Sequence, residues 1–220
     1  MVALKRAHSK GGRPPLERAG EVEERILDAA LAVFRKRGYE GASVDEIAQT
    51  ARAGKPTIYA RYPGKEALFK AVMERQVGRN TQFENLAPQG RTLQAKLVSL
   101  GIALVERTLS KDTIGLLRAG IAEAERFPEL TRGINEMARK RSAANLAKLL
   151  AELARAEGLA GKGVFAAGKI EETARIFLDV VLFSMLMRRL LGEDVRALRK
   201  EMPSYVRERV NFFLGSCGQD

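Results

Sequence analysis

Tryptophan is missing from this 220-residue chain, cysteine and histidine occur once each, and aromatic residues amount to 6%. The lone Cys217 excludes an internal disulfide framework. The lone His8, near the start, leaves no parts for a His-based triad, a Cys–His pair or a Cys/His metal cluster. No metal site and no cofactor are therefore expected. Long apolar runs are scarce as well: residues 176–187 form the most apolar stretch and include Asp179, well short of the about 20 residues that span a bilayer. Without a charged start, apolar core and small-residue cleavage site, nothing reads as a secretory leader. The expectations are no membrane partner and a cytoplasmic location.

What is abundant points one way. Hydrophobic residues make up 45% of the chain, enough for a core, and Ala, Leu, Glu, Lys and Arg dominate while β-branched alternation is thin, so the fold class expected is all-α. Lys and Arg total 38 against 27 for Asp and Glu, a net charge of +11, which favours a polyanionic partner such as nucleic acid. Residues 1–80 alone carry 16 basic and 10 acidic side chains, so the excess is denser at the front.

Residues 1–18 hold Lys5, Arg6, Lys10, Arg13 and Arg18 among Gly and Pro with no hydrophobic period, which reads as a flexible basic arm. Within it Gly12-Arg13-Pro14 resembles the core of a minor-groove hook, although an arm that only adds nonspecific charge explains the same residues. A first helix is expected from about Ala19, with Val22, Ile26, Ala30, Val33 and Phe34 at spacings of three and four until Gly38. Ser43-Val44-Asp45-Glu46 has the capping-box form that opens a second, short helix ending near Ala51. The turn falls on Arg52-Ala53-Gly54, Pro56 marks the first turn of a third helix, and Pro63-Gly64 closes it before a fourth begins at Lys65. Longer helices follow near 92–109, 112–126, 129–157, 170–191 and 194–214, about nine in all. The glycines of 158–169 lack the Gly-Lys-Ser/Thr ending and the preceding strand of a phosphate loop, so they read as a linker.

Two short helices joined by a tight turn describe a helix-turn-helix, whose last helix enters the major groove. The string SVDEIAQTARAGKPTIYARYPGKEALF over 43–69, preceded by the apolar helix that ends at Phe34, Gly38 and Tyr39, resembles the DNA-binding domain of the TetR family of bacterial regulators. The resemblance implies three parts: the arm 1–18, a DNA-binding domain 19–66, and a helical ligand-binding and dimerisation domain 67–220 joined through the fourth helix. It also implies DNA contacts. Lys55, Pro56 and Thr57 are expected near base edges and Tyr59 and Lys65 on phosphates, with Ser43, Arg52, Arg61 and Tyr62 as further members of the interface. Lys65 is singled out by physics too, since a cation in a helix's first turn is unfavourable unless an anion docks there. Two departures from the family pattern are Gly54, a weaker cap before the third helix, and Asp45, where some relatives carry a basic contact.

In the second domain the resemblance implies a homodimer built on the last two helices, with Val181, Met185, Val195, Leu198, Met202, Val206, Val210 and Phe213 as interface candidates, although such stripes also suit an internal core. An unknown small-molecule effector is expected between helices, with Phe127, Met137, Phe165, Phe177, Phe183 and Met187 as pocket candidates that could equally be core. The function expected is a sequence-specific, DNA-binding transcription regulator, most simply a repressor released from a palindromic operator by its effector. The competing readings are a nonspecific architectural DNA protein and, with no convergent constellation to support it, a helical enzyme.

Overall fold

A computed structural model describes residues 16–83, 86–166 and 168–217. Among them the chain forms nine α-helices and no strand: α1 (Leu16–Arg37), α2 (Val44–Ala51), α3 (Lys55–Tyr59), α4 (Lys65–Asn80), α5 (Leu93–Thr108), α6 (Lys111–Ala122), α7 (Pro128–Ala156), α8 (Ile170–Leu190) and α9 (Val195–Cys217). The glycine-containing linker before α8 holds one 3-10 turn, Gly163–Phe165. Helix α1 begins at Leu16 rather than at Ala19, so the last three residues of the expected 1–18 arm are its first turn; residues 1–15, including Gly12-Arg13-Pro14, lie outside the described residues.

Most helix ends are set by local chemistry. Gly38 takes the left-handed φ of 70° that a side chain disfavours, and its amide donates to the Phe34 carbonyl at 2.9 Å, closing α1 where Arg35, Lys36 and Arg37 face the negative end. Thr92 and Ser110 cap α5 and α6 by accepting from the amides of Ala95 and Thr113.

The helices bury their stripes in two clusters. One gathers Ile26, Phe34, Ile47, Ile58, Leu68 and Phe69 of α1–α4 and continues into Leu116 and Ala119 of α6 and Ile134 of α7. The N-terminal head formed by α1–α4 therefore has no core of its own that stops at residue 66. The first half of α4 is packed inside it, and α6 and α7 are packed onto it. The other cluster joins α5, α7, α8 and α9. Gly101 lets α5 and α9 close, because a Cβ there would lie 2.6 Å from Val206 Cγ1.

This second cluster corrects the expected dimer face. Val181, Met185, Leu198, Met202, Val206, Val210 and Phe213 are at most 4% exposed within a single chain, and Val195 is half-buried at the start of α9. They cover one another and α5; Phe213 meets the Phe177 ring edge to face at 5.2 Å. An apolar stripe shows that a face is covered and leaves open by what. The outer faces of α8 and α9 instead expose Phe183 and Phe212 at 65% and 66%.

Candidate nucleic-acid interface

The interface begins at a cap. Ser43 is extended, and its Oγ accepts from the Glu46 amide at 3.1 Å, which starts α2. The Glu46 carboxylate does not complete a capping box; it turns to Arg37 Nε at 3.5 Å. Helix α2 ends on Arg52 at φ 49°, so the left-handed residue of the turn carries a Cβ and is not the glycine, at a cost of about 1 kcal/mol or more. Two hydrogen bonds hold it there: the amides of Arg52 and Ala53 donate to the carbonyls of Gln49 and Ala48 at 3.2 and 3.0 Å. Gly54 is extended and precedes α3 without a side-chain cap.

Helix α3 is only five residues long and buries Ile58 alone. Its other face is open: Lys55 and Pro56 are exposed, Thr57 is half-buried, and Tyr59 is 48% exposed. Ser43 and Arg52 are exposed too, and Arg61 reaches back to the Thr57 carbonyl at 3.4 Å. Lys55 Nζ sits 2.7 Å from Asp45 Oδ1 of α2, with both side chains more than half exposed. The positive charge at the start of α3, where base contacts are expected, is thus partly neutralised from within the chain. In the sequence Asp45 shows only as a missing basic contact, because an ion pair across a turn has no spacing rule to announce it.

Two expected contact residues are used otherwise. Tyr62 is 8% exposed, and its hydroxyl donates to Glu23 of α1 at 3.0 Å, so it fastens the end of α3 to α1 and does not present a phenol to DNA. Burial, and next the hydrogen bond to Glu23, push the Tyr62 phenol up to about 12. Because the folded state holds the proton more tightly than the unfolded one, this contribution to stability is whole below pH 10 and fades as pH rises toward 12. Tyr62→Phe should cost about 1–2 kcal/mol and leave DNA affinity within twofold. A loss of affinity without a fall in melting temperature would restore a contact role.

Lys65 is the second. Its Nζ donates to the carbonyls of Tyr39, Glu40 and Ala42 at 2.9, 3.3 and 3.2 Å and lies 4.4 Å from the centre of the Tyr39 ring. Three ammonium donors meet three carbonyls. The cation in the first turn of α4 is therefore compensated by the α1–α2 turn, without an outside anion. Farther along, α1 and α4 are cross-braced, with Arg75 reaching Glu24 and Asp28 at 2.8 and 2.9 Å and Arg79 reaching Glu24 at 2.9 Å.

Behind the head lies a cavity of about 230 Å³ between α4, α5, α7 and α8, bordered by Asn80, Leu104, Thr108, Ser142, Leu178, Leu182 and Leu186. Of the six pocket candidates only Phe183 lines it. Phe177 is fully buried against Phe213, and Phe165 is buried beneath its 3-10 turn. Phe127 stands edge to face on Tyr39 at 5.3 Å, at the contact with the head. Met137 is half-buried and Met187 exposed, and neither borders the cavity. Apolar side chains could be listed from the sequence, but which ones leave space between them depends on helix crossings. Among the described residues no helix is long and apolar enough to cross a membrane.

Family models match both halves of the chain: residues 26–72 fit the bacterial regulatory proteins of the tetR family, and residues 95–217 fit the AefR-like transcriptional repressor C-terminal domain. The HTH-type transcriptional regulator YvkB of Bacillus subtilis (strain 168) is 24% identical over 178 residues, covering 81% of this chain and 88% of that protein. The HTH-type transcriptional repressor ComR of Escherichia coli (strain K12) is 32% identical over 89 residues, or 40% of this chain, which spans under half of ComR at 42%. In three dimensions the fold is similar to a TetR-family transcriptional regulator from Mesorhizobium loti MAFF303099, with a TM-score of 0.77 at 24% identity over 90% of this chain and 98% of that one. It is also similar to the flavonoid-responsive regulator FrrA, with a TM-score of 0.66 at 25% identity over 91% and 100%.

Proposed function

Since the chain belongs to the TetR family of DNA-binding transcription regulators, we propose that it acts as a homodimeric repressor that leaves a palindromic operator when a small molecule fills the cavity behind its head. The observation that carries the DNA reading is the open face of α3, where Lys55, Pro56, Thr57 and Tyr59 project from a helix anchored by Ile58. In a dimer the two α3 helices would enter successive major grooves about 34–36 Å apart. Lys55 and Thr57 then sit near base edges, and Tyr59, Arg61, Ser43 and Arg52 near the backbone.

Release requires a path from cavity to head, and the contacts supply one. Asn80 borders the cavity and donates to Thr113 of α6 at 2.8 Å. Arg118 of α6 donates to the carbonyls of Arg189 and Leu190 at the end of α8, at 3.0 Å each. On its other side α6 holds α1: Arg35 pairs with Asp112 and packs on Gly115, where an added Cβ would lie 2.4 Å from Arg35 Cγ. Arg126 pairs with Glu40 beside the Tyr39–Phe127 contact. A ligand that moves α8 or the end of α4 therefore drags α6, and with it α1 and the head. A change in head separation lowers operator affinity by the difference in binding free energy between the two arrangements.

Selection of bound duplexes from a random pool tests the reading, repeated with candidate small molecules. One palindromic site with half-sites a helical turn apart is expected; uniform coverage would instead mark a nonspecific architectural protein. The Lys55–Asp45 pair gives a sharper expectation. An exposed pair is worth little in stability, but its carboxylate stands beside Lys55 on the face offered to the DNA polyanion. Asp45→Asn should therefore raise affinity about three- to tenfold for operator and scrambled duplex alike, most at low salt. Unchanged affinity by fluorescence anisotropy would place the pair away from DNA.

A further inference from the structure

Two exposed guanidinium groups stand at the edge of the cavity. Arg139 of α7 and Arg175 of α8 border both the apolar cavity and the cleft directly outside it. Among the described residues neither makes a hydrogen bond or an ion pair. Their basic neighbours in the cleft are engaged, Lys140 with Glu136 at 3.3 Å and Arg132 with Glu129. What sets them apart from other unpaired arginines of this domain, such as Arg155 and Arg207, is their place beside the apolar cavity. Two acids of α8 lie near Arg175, Glu171 in the outer cleft and Asp179 at the cavity, and neither closes an ion pair with it. Asp179 also borders the groove between α8 and α9, on the side away from the cleft.

We propose that the cavity takes a small amphipathic organic anion, its carboxylate held between Arg139 and Arg175 and its apolar body among Leu104, Leu178, Leu182 and Leu186. The inference rests on the effector-release reading above and adds the chemical class. A guanidinium is charged at every physiological pH, and its planar fork matches a carboxylate in two parallel hydrogen bonds. An apolar wall on one side lowers the local dielectric and strengthens that pairing. A cationic ligand would find one carboxylate, Asp179, against two guanidinium groups; a neutral one would leave both unused. The volume of about 230 Å³ lies under the about 300–1,000 Å³ of drug-sized sites, which favours a short chain or a single ring over a long acyl tail.

The test uses the full-length protein with octanoate and 4-phenylbutyrate, and with 1-octanol and 4-phenylbutanol as uncharged compounds of the same skeletons. Melting temperature and operator affinity are read at each concentration. Both acids should stabilise the protein and weaken operator binding at least tenfold at saturation, with the alcohols at least tenfold less potent. Arg139→Gln and Arg175→Gln should each raise the half-effective concentration of the acids about tenfold or more and leave affinity for DNA without ligand within twofold. Alcohols as potent as the acids would overturn the anion site and leave effector release standing. Acids that stabilise the protein without moving operator affinity would uphold the site and overturn release. Acids that neither stabilise nor release, on protein that still binds operator, would overturn the inference.

Discussion

Lys65→Ala is expected to loosen the DNA-binding head itself, costing about 2–4 kcal/mol and lowering the melting temperature by roughly 5–15 °C. The figure follows from what the ammonium holds: three backbone carbonyls, of Tyr39, Glu40 and Ala42, and the face of the Tyr39 ring. Hydrogen bonds to a charged donor are worth about 1.5–3 kcal/mol, a cation–π contact about 0.5–2, and such terms do not add in full. The three carbonyls belong to the turn that leads α1 into α2, and that turn carries Tyr39 onto Phe127 and Glu40 onto Arg126. Losing the brace should therefore weaken operator binding by misplacing α2 and α3, and should blunt the response to effector. A lysine whose only task was a phosphate would behave differently. Its removal would leave the melting temperature unchanged and would flatten the salt dependence of binding by about one unit. Thermal unfolding and a salt titration on the same variant separate the two roles, and an unchanged melting temperature would refute the brace.

The same lysine shows which parts of the molecule could be read in advance. Its awkward place in the first turn of α4 was visible because helix dipoles and first turns are local. Its partners were not, since they lie 23 to 26 residues away in sequence and are backbone atoms, which leave no mark of their own in the chain. Ser43, Gly38 and Pro56 announced helix ends for the same local reason, and α5 and α7 fall within one residue of expectation, whereas α6 stops at Ala122, four residues before the expected end at 126. Tyr62 failed as a contact because exposure is decided by α1, which supplies Glu23. The cavity failed residue by residue, Phe183 excepted, because empty space is a property of how helices cross. Local order is written in spacing and caps, whereas the partner of each surface is written in packing.

The outer faces of α8 and α9 carry the other large expected effect: Phe212→Asp should turn the proposed dimer into monomers that no longer hold operator. The stripe first expected to pair the subunits is interior, but helix geometry moves the question to the opposite side and does not remove it. Phe183 is two residues, about 200° around the helix, from both Val181 and Met185. It points outward with Val180 and Ser184 toward a shallow groove that Tyr205, Arg209 and Phe212 complete from α9. Two aromatic side chains about two-thirds exposed are the kind of surface that marks an interface, and a second copy of this chain is the occupant that the proposed palindromic operator calls for. A twofold interface counts each change twice. At about 2 kcal/mol for a buried aromatic anchor, two copies lose about 4 kcal/mol, or about a thousandfold in the dimer dissociation constant. Phe212 is two-thirds exposed in the single chain, and circular dichroism of the variant separates loss of pairing from loss of helix. Sedimentation should show monomer at micromolar protein, and operator affinity should fall at least a hundredfold because one head cannot span two half-sites. A Phe212→Asp protein that sediments as a dimer and binds operator normally would move the subunit contact off this face.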